Sequence, residues 1–302
     1  MSEGSISIVA VIRPRLDARQ WPTPPVTRYA PSPTGYLHLG HVVNAIYVWG
    51  VARALGGRVQ LRLEDHDRIR CRPEFERALL EDLDWLGFTA DEGRVPVERQ
   101  SDRAAAYEDA LGRLAESQHV YGCRCSRKEI GSEHYDGRCR DRDLPAKAGT
   151  GVRVELAPGI EQFDDLLLGR LQQDPAAQCG DLLLRDRDGH WTYQFAVVVD
   201  DMRQGISLVI RGADLLASTG RQIRLARMLG RAEPPRYLHH PLIVNAAGNK
   251  LSKAARDTGI RELRARGLGP EDVIGRAAAA VGLIPRDAPV AASELAELFR
   301  SP

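Results

Sequence analysis

The chain of 302 residues is 43% hydrophobic and 27% charged, proportions typical of a globular protein with a sizeable core. Its formal net charge of +1 neither indicates nor rules out a nucleic-acid partner, because such binding needs only a local basic face. No apolar run reaches the roughly 18–20 residues of a membrane helix, and no basic region precedes the apolar patch Ile6–Ile12. We therefore expect no signal peptide, no membrane partner and a cytoplasmic location.

The first third of the chain alternates between strand and helix patterns. Residues 1–25 read as a loose extension that ends in prolines, and Gly87 is suited to terminate a helix as its C-cap. The elements expected in between are a strand at Val26–Tyr29, a helix at Val42–Leu55, a strand at Arg58–Leu63 and a helix at 74–86. This order predicts an α/β fold, a Rossmann-type doubly wound parallel sheet with helices on both faces.

The rest of the chain is more varied. Residues 104–121 predict an amphipathic helix, whereas 122–150 are too poor in apolar residues to form a core, and 152–184 read as short strands and turns. The elements expected beyond these are core strands at Tyr193–Val199 and Ile206–Ile210, a helix at 214–229, a strand at 237–244, two helices within 260–283 and a last helix at 291–300.

These patterns divide the chain into an α/β domain in two halves with a cysteine-containing subdomain inserted between them. The expected parts are an N-terminal extension (1–25), the first half of the α/β domain (26–121), the inserted subdomain (122–185), the second half (186–245) and a lysine-containing loop with a short helical C-terminal region (246–302). With no exposed apolar seam evident, we expect a monomer.

A turn rich in proline and glycine, Pro31–His41, joins the first predicted strand to the first predicted helix. Backbone N–H groups at a helix N-terminus attract anions, and the side chains of His38 and His41 add donors that packing does not require. A second motif, Lys250-Leu251-Ser252-Lys253, offers two flexible point charges that suit a triphosphate. Each motif alone is more often a solvated polar loop, so neither is specific by itself.

Together the two motifs resemble the catalytic core of the class I aminoacyl-tRNA synthetases. Pro-Ser-Pro-Thr-Gly-x-Leu-His-x-Gly-His contains their HIGH motif, and Lys250–Ala254 resembles their KMSKS motif with alanine at its last position. The resemblance implies an ATP-dependent ligase that forms an aminoacyl-adenylate, with Mg²⁺ on the phosphates. The implied ATP-binding residues are His38, Gly40, His41 and Lys253, and the implied catalytic residues are His38, His41, Lys250 and Lys253.

Flanking residues narrow the resemblance to the glutamate-specific members of that family. A glutamate carboxylate suits the planar donors of arginine, and an acidic side chain such as Glu64 can hold the α-ammonium group. Taken singly, each of these residues would more often be a surface charge or a core tyrosine. The implied L-glutamate-binding residues are Arg28, Tyr29, Ala30, Pro31, Ser32, Glu64, Tyr193 and Arg211.

Three cysteines, Cys123, Cys125 and Cys139, lie in the segment that cannot form its own core. A structural zinc ion would supply the folding free energy that burial cannot. Spacing alone favours His134 as the fourth ligand, because imidazole is a far commoner zinc ligand than phenolate. The pattern Cys-x-Cys…Tyr-Asp-Gly-x-Cys, however, resembles the glutamyl-queuosine tRNA(Asp) synthetases and implies Tyr135. Cys71 and Cys179 have no evident partners and are expected to be free thiols.

Residues 254–302, which follow Lys253, are too few for the anticodon-binding domains of a glutamyl-tRNA synthetase. The resemblance therefore implies a catalytic domain that activates glutamate without tRNA and transfers it to the queuosine base of tRNA(Asp). Two alternatives stay open: a truncated glutamyl-tRNA synthetase that charges a tRNA 3′ end, and a catalytically silent RNA-binding relative. A zinc hydrolase is disfavoured, because a fourth protein ligand would close the metal site.

Overall fold

The computed structural model describes residues 8–17, 20–66, 70–131, 134–146, 149–243 and 259–300. The strands are β1 (Val26–Tyr29), β2 (Arg58–Leu61), β3 (Val120–Cys123), β4 (Gly151–Val154), β5 (Glu161–Asp165), β6 (Gly169–Gln173), β7 (Leu182–Arg185), β8 (Leu208–Gly212) and β9 (Arg236–His240). The helices are α1 (Ile8–Ile12), α2 (Leu39–Ala54), α3 (Pro73–Leu86), α4 (Ala104–Ser117), α5 (Arg127–Ile130), α6 (Pro175–Cys179), α7 (Tyr193–Arg203), α8 (Thr219–Met228), α9 (Ile260–Ala265), α10 (Pro270–Ala280) and α11 (Leu295–Phe299).

Parallel strands form the centre of the fold, as the alternation of strands and helices predicts. β1 pairs with β2, and β8 pairs with β9, in parallel register. A backbone hydrogen bond of 3.0 Å from Ser207 N to Val26 O joins the two pairs, and β5 extends the sheet beside β9 through the pair Asp165 and Tyr237. The carboxyl ends of β1, β2, β8 and β9 therefore meet along one edge, where α/β sheets bind their ligands.

A second, antiparallel sheet has the order β3-β4-β7 and packs against α4 and α7 in a core of its own. The hairpin of β5 and β6 lies between β4 and β7 in the chain, yet it pairs with the parallel sheet. Next to the antiparallel sheet, a small buried cluster contains Cys123, Tyr135 and Cys139. None of the described helices is long and apolar enough to cross a bilayer.

Most predicted elements of the first third are confirmed, and Gly87 ends α3 in a left-handed conformation at φ 79°. The strand predicted at Arg58–Leu63 is shorter, because its regular pairing with β1 ends at Leu61, and Leu63 forms an isolated bridge to Arg99. The helix predicted over 104–121 ends at Ser117, since Val120 already belongs to β3. The strand predicted at 237–244 is confirmed in its first part as β9.

The prediction of a core strand at Tyr193–Val199 is wrong, because these residues begin helix α7. Phe195 and Val197–Val199 are all buried, so this part of the helix has no polar face. Its sequence therefore lacks the alternation of apolar and polar residues that distinguishes a helix from a strand.

The prediction of a loose N-terminal extension is also wrong for its described part. Val9 and Ile12 of α1 are buried in the main core, where α1 packs against α11. Apolar residues at helical spacing thus attach this segment to the domain.

Candidate active site

A cavity of about 640 Å³ opens at the carboxyl edge of the parallel strands. It is lined by every residue predicted for ATP or glutamate that the structure describes: Arg28, Tyr29, Ala30, Pro31, Ser32, His38, Gly40, His41, Glu64, Tyr193 and Arg211. Lys250 and Lys253 lie outside the described residues. Residues separated by more than 180 positions in the chain are thereby brought to a single site (Arg28 and Arg211).

The hydrogen bonds of the two histidines at the N-terminus of α2 determine which ring nitrogen carries the proton. His38 is the N-cap, and its Nδ1 accepts a hydrogen bond of 3.0 Å from Gly40 N. His41 Nδ1 accepts one of 3.2 Å from His38 N, and the ring centroids are 4.0 Å apart. Because both Nδ1 atoms are acceptors, each neutral ring carries its proton on Nε2. Both side chains can therefore cap the helix and still present a donor to a ligand.

The His38 ring lies so close to the backbone of residue 40 that glycine is favoured at this position. A Cβ atom at this position would lie 2.9 Å from His38 Cε1 and 3.1 Å from His38 Nδ1. Any larger residue would displace the imidazole from the helix N-terminus. The glycine thus contributes to the site by leaving room for a side chain.

A buried ion network lies beneath the cavity and connects Arg28 to Glu64. Arg28 Nε donates to both carboxylate oxygens of Asp201, at 3.1 and 3.2 Å, and Arg62 Nη1 donates to Asp201 at 2.9 Å. Arg62 Nη2 donates to Glu64 at 3.1 Å. Burial alone would raise the pKa of Asp201, but the positive charges of Arg28 and Arg62 hold it below its usual range. Asp201 therefore stays ionised and fixes both guanidinium groups.

Arg211, on β8, is surrounded by uncharged acceptors. Its side chain donates to His239 Nε2 at 3.1 Å, to Gln222 Oε1 at 2.6 Å and to Thr219 Oγ1 at 2.9 Å. Tyr193, at the start of α7, lines the same part of the cavity, and burial raises the pKa of its hydroxyl. The tyrosine is therefore a neutral donor at any pH at which the protein would work.

The sequence analysis missed several residues that complete the site. Asp201 and His239 hold the predicted arginines, and His240 Nε2 lies 3.2 Å from Asn44 Oδ1 at the cavity wall. For His240, the feature that could have indicated a role in the site is its position at the carboxyl end of β9, since ligands bind at such strand ends. Asp201 gives no such signal, because it lies beside Asp200 inside helix α7, just after the apolar run that reads as a strand.

The three predicted cysteine ligands come together in the structure. The Sγ atoms of Cys123, Cys125 and Cys139 all lie within 4.8 Å of one another, and Cys125 and Cys139 are 3.5 Å apart. A tetrahedral site with Zn–S bonds of about 2.3 Å would separate two sulfurs by about 3.8 Å. The donor set is thus compatible with zinc.

Tyr135, and not His134, points into this cysteine cluster. Tyr135 Oη lies 3.4 Å from Cys123 Sγ and 3.9 Å from Cys125 Sγ, and it accepts a hydrogen bond of 3.0 Å from Cys139 N. His134 is exposed, whereas Tyr135 is buried. The Arg153 guanidinium lies 3.7 Å from the centre of the Tyr135 ring, which places a positive charge beside the phenol.

Comparisons with known proteins agree with this arrangement. Residues 25–282 match the family described as tRNA synthetases class I (E and Q), catalytic domain. A protein of Nitratidesulfovibrio vulgaris named Glutamyl-Q tRNA(Asp) synthetase is 40% identical over 295 residues, covering 90% of this chain and 91% of that relative. A protein of the same name from Xanthomonas campestris pv. campestris (strain 8004) is 46% identical over 228 residues, covering 75% of each chain.

Among solved structures, glutamate-tRNA synthetase from Elizabethkingia anophelis superimposes with a TM-score of 0.76 at 25% sequence identity. The match covers 93% of this chain but 66% of that protein. The chain thus spans just under two thirds of the length of this solved structure.

Proposed function

Because the chain belongs to the class I tRNA synthetases, and among them to the family of the glutamyl-Q tRNA(Asp) synthetases, we propose that it activates L-glutamate with ATP and transfers it to the queuosine base of tRNA(Asp). The activation needs no tRNA, and the acceptor base lies at the wobble position of the anticodon. The observation that carries the proposal is the shared cavity, in which a pair of histidine donors adjoins buried arginines and Glu64. The chain is an ATP-dependent ligase by its family.

In the first step, an oxygen of the glutamate α-carboxylate attacks the α-phosphorus of ATP and pyrophosphate leaves. The Nε2–H groups of His38 and His41 donate to phosphate oxygens as negative charge develops on them. The N-terminus of α2 adds its backbone dipole at the same place. Lys253 supplies a further positive charge, and Mg²⁺ bound to the phosphates of ATP would add to this charge compensation.

Charge complementarity supports glutamate as the amino acid in this cavity. The buried guanidinium groups of Arg28 and Arg211 can recognise the side-chain carboxylate, and Glu64 can hold the α-ammonium group. The neutral hydroxyl of Tyr193 adds one hydrogen bond. A neutral glutamine side chain would leave the positive charge of Arg211 without a counterion in a buried site.

In the second step, a hydroxyl of the queuosine cyclopentene ring attacks the carbonyl carbon of the adenylate, and AMP leaves. The relatives whose names state this activity match most of the chain, and in one case the match covers 91% of the relative as well. A flipped or unstacked anticodon base is small enough to reach a cavity of about 640 Å³.

The activation step is tested by glutamate-dependent exchange of pyrophosphate into ATP without tRNA. We expect exchange in the wild type and its loss in Lys253→Ala, because the lysine stabilises the developing charge. Lys128→Ala is a matched control, since Lys128 is exposed on α5 away from the cavity. Near wild-type exchange in Lys253→Ala would remove that lysine from the mechanism, and no exchange in the wild type would favour a catalytically silent relative.

The acceptor is tested by charging tRNA(Asp) with radioactive glutamate, with and without queuosine. We expect label only on the queuosine-containing tRNA, and nuclease digestion should release it with the anticodon nucleotide. Label on the terminal adenosine would instead identify an enzyme that charges the 3′ end, as expected of the solved glutamate-tRNA synthetase that the fold resembles. Equal charging of both tRNAs would overturn the queuosine assignment and leave the activation step intact.

A further inference from the structure

Arg211 carries a buried positive charge without a carboxylate partner among the described residues. Its side chain is 3% exposed, and its three nitrogens donate to His239, Gln222 and Thr219. A guanidinium group has five N–H donors. Three are used by these neighbours, which leaves one on each terminal nitrogen, a number that matches the two oxygens of a carboxylate.

His239 can accept from Arg211 only in one tautomer. Its Nδ1 lies 2.7 Å from Asp165 Oδ2, and Asp165 also accepts from the backbone N–H of His239 at 3.0 Å. An ionised carboxylate can only accept, so Nδ1 carries the proton and Nε2 is left as an acceptor for Arg211 Nε. Burial lowers the pKa of His239, which keeps the ring uncharged beside the guanidinium.

The elements around Arg211 make this arrangement rigid. Asp165 ends β5 and also accepts from Leu167 N and Leu168 N, at 2.9 and 2.8 Å, so its carboxylate is fixed from two sides. His239 lies on β9, which pairs with β5 on one side and with β8 on the other. Asp165, His239 and Arg211 therefore lie on three neighbouring strands, β5, β9 and β8, with Arg211 at the cavity.

We propose that His239, oriented by Asp165 and assisted by Thr219, is a positioning residue that holds Arg211 against the side-chain carboxylate of the amino-acid substrate. This proposal rests on the proposed activation of glutamate. Because every group that holds Arg211 is uncharged, the substrate carboxylate becomes the counterion of the guanidinium. His239 thereby contributes to the preference for an acidic over an amide side chain without touching the substrate.

Two pairs of variants separate positioning from a purely structural role. His239→Asn retains a donor to Asp165 but cannot reach Arg211, whereas His239→Gln can place an oxygen near the position of Nε2. Thr219→Val removes the second acceptor, and Thr219→Ser keeps it. Since a hydrogen bond to a charged group contributes about 1.5–3 kcal/mol, we expect the KM for glutamate in pyrophosphate exchange to rise by about 10-fold or more in His239→Asn.

In the same assay, we expect His239→Gln to keep the KM within about threefold of wild type, and the KM for ATP to stay unchanged in all variants. Selectivity for glutamate over glutamine should fall in His239→Asn and Thr219→Val but not in His239→Gln and Thr219→Ser. Glu161→Gln is the control for the loss of a buried polar contact on β5, the strand next to that of His239, because Glu161 pairs with Arg224 and Arg227 and does not line the cavity.

An unchanged KM for glutamate in His239→Asn, or an equal rise in His239→Gln, would overturn the positioning role while leaving the proposed function in place. Should the His239 variants fail to fold, the Thr219 pair decides, since valine and serine preserve most of the packing volume. Glutamate-induced shifts in melting temperature provide a readout that does not depend on turnover. A wild-type chain that neither binds nor activates glutamate would overturn both proposals.

Discussion

Among the described residues, Asp201 is the carboxylate that contacts both Arg28 and Arg62 beneath the cavity. Both guanidinium groups are nearly inaccessible to solvent. Asp201 compensates the charge of Arg28, and it shares the compensation of Arg62 with Glu64 and Asp200. Removal of one partner from a buried pair leaves an uncompensated charge, which costs far more than the pair contributes. The residue thus controls both the stability and the geometry of the site.

We expect Asp201→Asn to reduce the free energy of unfolding by about 3–5 kcal/mol, as measured by urea denaturation. Because the pKa of Asp201 is depressed in the folded state, its contribution to stability is present above the unfolded pKa of about 3.9 and is lost as the pH falls through the folded value. The difference in stability between wild type and variant should therefore shrink at acidic pH.

The matched control is Asp84→Asn, which breaks an exposed pair with Arg94. An exposed ion pair contributes about 1 kcal/mol at most. Equal losses in the two variants would show that Asp201 acts as an ordinary surface carboxylate and would contradict the buried network.

At the scale of elements, α9 packs beside the histidine turn. Ile260 N donates to Leu37 O at 3.0 Å, and the Arg261 guanidinium lies 4.4 Å from the centre of the Tyr36 ring. Asp82 of α3 is buried near the same helix, and its Oδ2 has no hydrogen-bond partner among the described residues. Burial raises the pKa of Asp82 to about 6, while Arg261 and Arg264 partly oppose this shift.

This raised pKa predicts a pH dependence of opposite direction to that of Asp201. Between an unfolded pKa of about 3.9 and the folded value of about 6, the folded chain binds more protons at Asp82 than the unfolded chain does. The stability of wild type relative to Asp82→Asn should therefore decrease as the pH rises from about 4 to about 6 and remain constant above. Urea denaturation of both proteins across this range measures it, and a difference that increases with pH would refute the assignment.

The cysteine cluster supports a segment that has few apolar residues of its own. We expect one zinc ion per chain, lost in Cys139→Ser, with a lower melting temperature after chelation because metal binding supplies folding free energy. Tyr135→Phe should weaken zinc binding, since it removes the phenol oxygen and keeps the ring beside Arg153. Metal content by elemental analysis and zinc affinity by competition with a chelator check these outcomes.

His134→Ala is the control for the zinc ligand, because the side chain is exposed. It should leave zinc affinity unchanged. The reverse pattern, in which His134→Ala loses zinc and Tyr135→Phe retains it, would make the histidine the fourth ligand.

For the whole molecule, α2 is the element against which the last described helices pack. α10 and α11 pack against it, and α1 packs against α11. Gly50 allows this contact: a Cβ atom there would overlap the buried Phe299 ring and lie 3.1 Å from Leu295 O. The described C-terminal residues are thus part of the main hydrophobic core.

We expect Gly50→Ala to destabilise the protein by about 1–3 kcal/mol, because overpacking forces α11 away from α2. Gly112→Ala is a matched control at an exposed position of α4, where no atom of another element lies within 4 Å of the new Cβ. This control should stabilise the protein by about 0.5–1 kcal/mol through helix propensity. Calorimetric melting measures both effects, and a stabilising Gly50→Ala would contradict the close packing of the C-terminal helix.

The sequence by itself determined the features that depend on short stretches of chain. A proline- and glycine-rich turn before a helix places His38 and His41 at the helix N-terminus, because that geometry is local. The strands that carry Arg28 and Arg211 end where the apolar pattern ends, so their side chains reach one sheet edge. These local rules place the histidines, whereas the glutamate-binding residues Arg28, Glu64, Tyr193 and Arg211 were implied by the family resemblance.

Only the tertiary structure decided which side chains hold these residues in place. Asp201, Asp165 and His239 act through partners on other elements, and their local sequence carries no sign of those partners. The same holds for α7, whose buried run lacks periodicity because neighbours cover it on every side. Contacts across strands and helices depend on packing, and packing brings together residues that chain order keeps apart.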